Sequence, residues 1–365
     1  MNTTNLLGLT QHELADFAES IGEPRYRGNQ IFQWIYSKGV TDVERMTDLG
    51  KAFREVLRQS ASLSGISLIT QQHSREDSTT KFLFGLADGA RIESVLIPPA
   101  AAFKDAEAAA EDEQQRLTLC VSTQVGCPLD CKFCATATMG YVRNLTAGEI
   151  IDQVLQAKRL SGKKITNIVF MGMGEPLLNW PAVDATLSIL NHPDGFGIGA
   201  RHITVSTVGI LPGMAAFAKR PEQFRLAISL HAPTSAQRLT MMPIEKKYEL
   251  ESVLKAAEAF RKRVTFEYVM IAGFNDSDAD AAQLGKLARR LGALVNILPL
   301  HPGGAPDLTP TTGARIRAFS EGLRNQGVDA VVRRSRGLDI NAACGQLRVE
   351  VEKKRSVAKR VNSKR

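Results

Sequence analysis

Three of the five cysteines in this 365-residue chain, Cys127, Cys131 and Cys134, stand together in the stretch "CPLDCKFCATATMG". In a compartment that keeps thiols reduced, such a group signals metal or redox chemistry rather than a structural disulfide. A closed zinc site takes four protein ligands, commonly from paired C-x2-C units. No further Cys–Cys or Cys–His pair follows here at a suitable spacing. Three thiolates suit a [4Fe–4S] cube, which then keeps one iron open for a substrate or cofactor. Two cysteines remain, Cys120 shortly before the cluster and Cys344 in "DINAACGQLRVE". An isolated reduced cysteine is ordinarily an inert small hydrophobe. The Gly-flanked "AACGQ" nevertheless follows the last strand pattern, where a loop can return over the mouth of the fold and bring Cys344 to Cys120.

Positioning these residues requires a frame, and from residue 117 onward the pattern alternates between strand and helix. Apolar, β-branched runs occur at "LTLCVSTQ", "ITNIVFMG", "HITVSTVG", "RLAISLHA", "VTFEYVMIAG" and "LVNILPLH", most of them separated by helical segments such as "TAGEIIDQVLQAKRLSG". Strands buried on both faces and joined by helices make a parallel sheet. The chemically unusual residues sit after different strands: Ser122 and the cysteines, Glu175 in "MGMGEP", Ser206, Ser229 to His231 in "SLH", and His301. Side chains collected from so many strand ends converge only if the strands curve about an axis. The expected fold is therefore α/β, a partial (β/α)6 barrel over 117–347. Before it, helical patterns over 10–60 and a hairpin across the Asp-Gly turn of "STTKFLFGLADGARIESVLIP" form a small α+β domain, 1–97. Residues 98–116, rich in Ala and acidic residues, read as a linker. Residues 348–365 read as a basic tail.

The net charge is +8, the apolar fraction 44% and the charged fraction 23%, a composition that excludes disordered and fibrous classes. No apolar run is long enough to cross a bilayer, and the start lacks the order of a signal peptide, so a cytoplasmic protein that does not engage membranes is expected. The positive balance favours polyanionic partners, nucleic acid first. Arg25, Arg27 and Lys81 in the N-terminal domain are candidates for an accessory RNA surface or for an ordinary solvated face.

The cysteine spacing, with Phe133 just before the third cysteine, resembles the radical S-adenosylmethionine (SAM) superfamily. Further stretches extend the likeness over nearly the whole chain: "EPRYRGNQIFQWIYSKG", "DGARIESVLIP", "VFMGMGEPLLN", "STVGI", "SLHAP", "MPIEKKY" and "RGLDINAACGQL". Together they resemble the RlmN family, the bacterial dual-specificity methyltransferases of adenine carbon 2 in 23S rRNA and tRNA. The resemblance implies a [4Fe–4S] cluster on Cys127, Cys131 and Cys134, with SAM chelating the open iron. It implies SAM contacts at Gly174, Glu175, Ser206, Ser229, Leu230, His231 and, in place of the asparagine that many members have, His301. The two histidines are equally open to purely structural roles.

Carbon 2 of adenine has no lone pair and cannot attack SAM directly. The implied route methylates the Cys344 thiolate with one SAM, and a second SAM yields the radical that takes a hydrogen from that S-methyl group. The carbon radical adds to adenine; loss of an electron and of the carbon-2 proton, with attack by Cys120, releases product and leaves a Cys120–Cys344 disulfide. Glu93 matches the family's proton acceptor, although the Cys120 thiolate and a plain exposed hairpin carboxylate are the alternatives there. The implied partners are 23S rRNA, tRNA and an electron donor such as flavodoxin or ferredoxin, with the enzyme a monomer. The nearest rival is the carbon-8 methyltransferase of the Cfr type; the Pro after Glu175 favours the carbon-2 family, a single residue that leaves the carbon-8 alternative open. A glycyl-radical activase would lack the downstream Cys344, and a non-catalytic RNA-binding protein would not need five cysteines at mechanistic positions.

Overall fold

A computed structural model describes residues 3–99, 116–260, 264–301, 307–333, 335–340 and 342. Cys344 and the basic tail lie outside the described residues, as does nearly all of the 98–116 segment.

The first elements are short. Strand β1 (Thr4–Asn5) pairs in parallel with β2 (Ala61–Ser62). Between them lie helices α1 (Gln11–Ser20), α2 (Tyr26–Phe32) and α3 (Lys51–Ser60). The Thr10 cap expected from sequence forms a full capping box with Glu13. The helical run in "GNQIFQWIYSKG" changes to a π-helical turn at Gln33–Ser37, which keeps Ile31 and Ile35 buried but leaves Trp34 only half-buried under Lys38.

Strands β3 (Ser67–His73), β4 (Thr80–Gly85) and β5 (Arg91–Ile97) run antiparallel, with the Asp88-Gly89 turn joining the last two. Then come β6 (Thr118–Cys120), the small ribbon β7 (Gln124–Gly126) and β8 (Tyr141–Asn144), and helix α4 (Ala147–Ser161). The repeating part continues as β9 (Asn167–Phe170), α5 (Trp180–Asn191), β10 (Ile203–Thr207), α6 (Leu211–Phe217) and β11 (Arg225–Ser229). It ends with α7 (Ser235–Met241), α8 (Leu250–Ala257), β12 (Val264–Met270), α9 (Asp278–Leu291), β13 (Leu294–Pro299), α10 (Gly313–Arg324) and β14 (Ala330–Val332).

One ten-stranded sheet contains β14-β13-β12-β11-β10-β9-β6-β5-β4-β3 in that order. Strands β6 and β9 to β14 are mutually parallel, so the barrel has a seventh parallel strand beyond the six expected. The extra one is short, three residues against β13. Curvature is visible in what shares a cavity: Val95 of β5 and Cys120 of β6 line it from one side, Leu298 of β13 and Val331 of β14 from the other. Strands at opposite ends of the order meet across a lumen, which makes a partial barrel. The N-terminal hairpin is not a detached unit. Strand β5 pairs with β6 through Val95–Cys120, Leu96–Leu119 and Ile97–Thr118, so the ladder runs unbroken across the segment read as a linker. The physical reason is that β6 would otherwise present an unpaired edge.

Candidate active site

The ribbon β7–β8 holds the cysteine loop shut. Gly126 has a φ of +75°, and a Cβ on it would lie 1.8 Å from the Gly140 carbonyl oxygen. That close approach lets the Cys127 amide donate to the same carbonyl at 2.9 Å. Inside the loop the Cys134 amide donates to the Cys131 carbonyl, and the Lys132 amide to Met241 at the end of α7. Cys131 is buried and the other two are half-buried. Burial pushes the Cys127 thiol up to about 12, with the Cys134 thiol and the Glu175 carboxylate adding to it. Cys131 is raised for the same first reason. Among the described residues, no three His, Cys, Asp or Glu side chains converge on a single metal ion. A four-iron cube asks for a different arrangement, because each thiolate goes to its own iron corner and the ligands stand apart. Three soft sulfur donors in one loop fit such a cluster, whose iron displaces the protons that burial otherwise retains.

The turn after β9 faces this loop. Gly174 has a φ of +99°, and a Cβ on it would lie 2.5 Å from the Gln124 Cβ. The Glu175 amide donates to Gln124 Oε1 at 2.8 Å. The Glu175 carboxylate accepts from the Leu177 amide at 3.0 Å and from the Val208 amide at 2.9 Å. Burial, opposed by these bonds, raises the carboxyl to about 7. The Thr207 hydroxyl also bonds this carboxylate, and with three bonds accepted out of about four lone-pair sites it can still take one from a ligand ammonium group.

Ser206 and Ser229, at the ends of β10 and β11, stand with hydroxyls 3.3 Å apart. Leu230 is fully buried, with its amide donating to the Glu267 carbonyl at 3.1 Å and its carbonyl accepting from the Ala232 amide at 2.7 Å, so it shapes the turn from within. His231 has a φ of +55°. Its Nδ1 accepts from the Val269 amide at 3.1 Å, so the neutral ring carries its hydrogen on Nε2. Burial, and next the Arg238 charge, lower it to about 3. The ring meets Phe133 edge-on, with centroids 4.3 Å apart, which couples this turn to the cysteine loop. His301 is held by the hydroxyl of Ser335 and is likewise lowered by burial. The structure thus brings the cysteines, Glu175 and His231 into one neighbourhood and ties His301 to the segment after β14.

Several supporting residues escape sequence reading. Arg238 is fully buried under the loop; it donates to Glu245 and to the Val208 carbonyl. Since Val208 also donates to Glu175, one backbone unit links Glu175 to the Arg238–Glu245 pair. Gln124 and Asn179 similarly pin the turn, Asn179 by donating to the Thr123 and Leu145 carbonyls. A polar residue buried within a helix leaves no periodic trace, and Arg238 lies in none of the stretches quoted above. Gln124, Asn179 and Glu245 do lie in such stretches, at "LTLCVSTQ", "VFMGMGEPLLN" and "MPIEKKY", but nothing local marks them as supports.

Around the lumen, Cys120 of β6 is 8% exposed and lines a cavity of about 540 Å³. Val95, Val169 and Ala342 line it too, the last only two positions before Cys344. Glu93 is no exposed hairpin carboxylate. It is buried on the same face of β5 as Val95, with Lys81 Nζ 3.9 Å from its carboxylate. Lys81 is also buried, at 0% exposure, so it forms no part of an RNA-facing surface. Arg25 is exposed but engaged by Asp16 and Glu19.

With that geometry in place, comparison with known proteins is informative. Residues 121–285 match the radical SAM superfamily, and residues 4–63 match the ribosomal RNA large subunit methyltransferase N-terminal domain. A probable dual-specificity RNA methyltransferase RlmN of Gemmatimonas aurantiaca is 52% identical, covering 92% of this chain and 90% of that protein. The chain belongs to the RlmN family. The RlmN protein named for Thermotoga maritima is 42% identical over 96% of this chain and 99% of its own length. A crystal structure of a radical SAM methyltransferase from Sphaerobacter thermophilus superposes with a TM-score of 0.83, at 41% identity, covering 94% of this chain and 98% of that one. Like other RlmN proteins this is a radical SAM enzyme, a class that works with a [4Fe–4S] cluster and SAM.

Proposed function

We propose that this enzyme methylates carbon 2 of adenosine in both 23S rRNA and tRNA, at an unpaired or nearly unpaired base that can be splayed into the lumen. The observation that carries the reading is the shared cavity: Cys120 lines it from β6 while Ala342, two residues before Cys344, lines it from the C-terminal segment. In this reading Cys344 joins Cys120 there, giving the two thiols that a methyl carrier and its release partner require. In this reading Cys127, Cys131 and Cys134 hold the cluster, and Gly174, Glu175, Ser206, Ser229 to His231 and His301 hold SAM. When bound, cluster and SAM supply a 5′-deoxyadenosyl radical, with the electron coming from a flavodoxin- or ferredoxin-type donor.

The chain's own residues do the rest. Cys344 carries the methyl group as a thioether, so that the carbon to be transferred is fixed to the protein before the base arrives. Once that carbon is bonded to adenine and the adduct has lost one electron and the carbon-2 proton, the Cys120 thiolate attacks the Cys344 sulfur. An S–S bond forms as the C–S bond breaks, and the C–S electron pair stays with the released carbon, which takes up a proton to become the methyl group. Glu93 accepts the carbon-2 proton. It lies opposite Ser122, whose hydroxyl donates to the Glu93 carbonyl at 2.6 Å, hence one pleat nearer the cysteine loop than Cys120. The Lys81 ammonium makes a negative charge tolerable in that apolar wall. The enzyme acts as a monomer, consuming two SAM per methyl group delivered.

The test is mass spectrometry of 23S rRNA and tRNA after incubation with anaerobically reconstituted enzyme, SAM and a reductant. The expected product is 2-methyladenosine in both RNAs. Appearance of 8-methyladenosine, or of no methylated adenosine, overturns the assignment. The carbon-8 alternative finds no support in the relatives described above, which carry the RlmN name.

A further inference from the structure

A second cavity, of about 500 Å³, opens at the N-terminal ends of β9, β10 and β11. It is therefore at the opposite end of the strands from the cysteine loop. Arg225 begins β11 and Ser229 ends it, a separation of about 13 Å along the strand at 3.3 Å per residue. Lys164, Arg201, His202, Arg225 and Arg116 line this floor cavity, together with the polar side chains of Thr166 and Asn167, and no carboxylate does. Lys164, Arg201 and Arg225 are exposed and enter no ion pair among the described residues. Some surface arginines, Arg25, Arg143, Arg220 and Arg290, each sit between two acids, while others such as Arg45, Arg75, Arg289 and Arg317 enter no ion pair among the described residues. What sets the floor cavity apart is that its cations share one concave wall. Converging like charges repel, and a concave wall focuses their field, so the arrangement is favourable only with an anion in it. Guanidinium groups flanked by hydroxyl and amide donors suit phosphate oxygens.

We propose that this floor cavity binds phosphate groups of the RNA substrate at nucleotides remote from the target base. The inference rests on the reading of the chain as an RNA methyltransferase and adds a second contact region to it. Arg116 lines both cavities, so floor and lumen adjoin. The lumen has room for a base but not for a folded RNA, which reaches the floor by passing round the outside of the barrel. A folded rRNA domain or tRNA is large enough to do so; a short stem-loop is not. The cavity would therefore favour folded substrates over fragments bearing the same target sequence.

The experiment measures the salt dependence of affinity for a folded domain of 23S rRNA and for a short stem-loop carrying the target adenosine, using the cluster-loaded enzyme. The wild type should show a steeper log Kd against log salt slope for the folded RNA. The variant Lys164→Gln/Arg201→Gln/Arg225→Gln should lose that excess, a fall of about 2 to 3 in slope for three phosphate contacts. Cluster absorbance checks that the variant is folded. Lys164→Gln/Arg201→Gln spares β11 and should lose about two-thirds of the excess, one contact per cation removed. The control Lys286→Gln/Arg317→Gln removes two exposed cations from the outer helices and should keep the excess. An unchanged slope in the triple variant overturns the proposal, and so does an equal loss in the control, which would make the effect one of net charge. Inorganic pyrophosphate that binds the wild type without any slope excess would assign the cavity to a free phosphate ligand and also overturn it. Because the readout is binding, failure of the methylation reading is scored separately, by absence of methyladenosine with the wild type.

Discussion

A cysteine's surroundings decide what it can do, and here the four described ones divide between a loop that gathers three and a lumen wall that holds Cys120. Cys344→Ala should abolish methylation while leaving the cluster absorbance intact, and retained turnover would remove its carrier role. Cys120→Ala should accumulate a covalent RNA–protein adduct, visible as a slow band on a denaturing gel; its absence would count against release by Cys120. Lys81 and Glu93 make a separate case. Replacing Lys81 by Met leaves a carboxylate buried without that cation and should cost about 3 kcal/mol of stability. Adding Glu93→Gln should recover part of the loss in a thermal-melt comparison, whereas additive losses would mean the two side chains are not coupled. The three loop cysteines were legible in sequence because they stand together in one short stretch. Lys81 was not, because nothing local distinguishes a lysine facing solvent from one facing a lumen.

Helix α4 is the strut that ties the N-terminal elements to the barrel. Its Asp152 carboxylate accepts from the Ile66 amide at 2.7 Å, and Gln156 donates to the Ile66 carbonyl at 3.1 Å. Gly148 allows the Leu7 carbonyl to come within 2.5 Å of where a Cβ would stand. Burial holds the Asp152 carboxyl above the ordinary carboxylate range, with the Ile66 bond opposing it. The unfolded chain therefore releases this proton at a lower pH than the folded one. Between the two pKa values the folded state binds more protons, so stability falls as pH rises from about 4 and levels off above the folded value. Asp152→Asn should flatten that part of the profile of urea midpoint against pH; an unaltered profile would show that Asp152 does not titrate there. Capping signals made such helices readable in advance: Thr146 with Glu149 opens α4 and Gly162 closes it, as Ser277 with Asp280 and Gly292 do for α9. Which face of α4 docks on what was not readable, since Asp152 and Ile66 are brought together only by the fold.

At the scale of the whole molecule, the strand alternation revealed the barrel and the strand ends revealed its working rim. The compositional break at 98–116 carries no signal of the pairing across it, where β5 joins β6. The sheet runs from β3 to β14 regardless, and the wall carrying Glu93 and Val95 belongs to the same lumen as Cys120. A chain lacking residues 1–97 should accordingly be insoluble, with a bare β6 edge and an opened lumen, and recovery of a soluble folded barrel would refute that. The converse concerns severing rather than deleting. Since β5 joins β6 by ladder bonds and buried side chains, a cut between residues 99 and 116 leaves that seam complementary. Co-expressed as two polypeptides, the halves should co-purify and reconstitute the active enzyme. The protein should in this sense behave as a natural split enzyme, and failure of the two halves to co-purify would show that the peptide connection is needed to close the chamber they enclose.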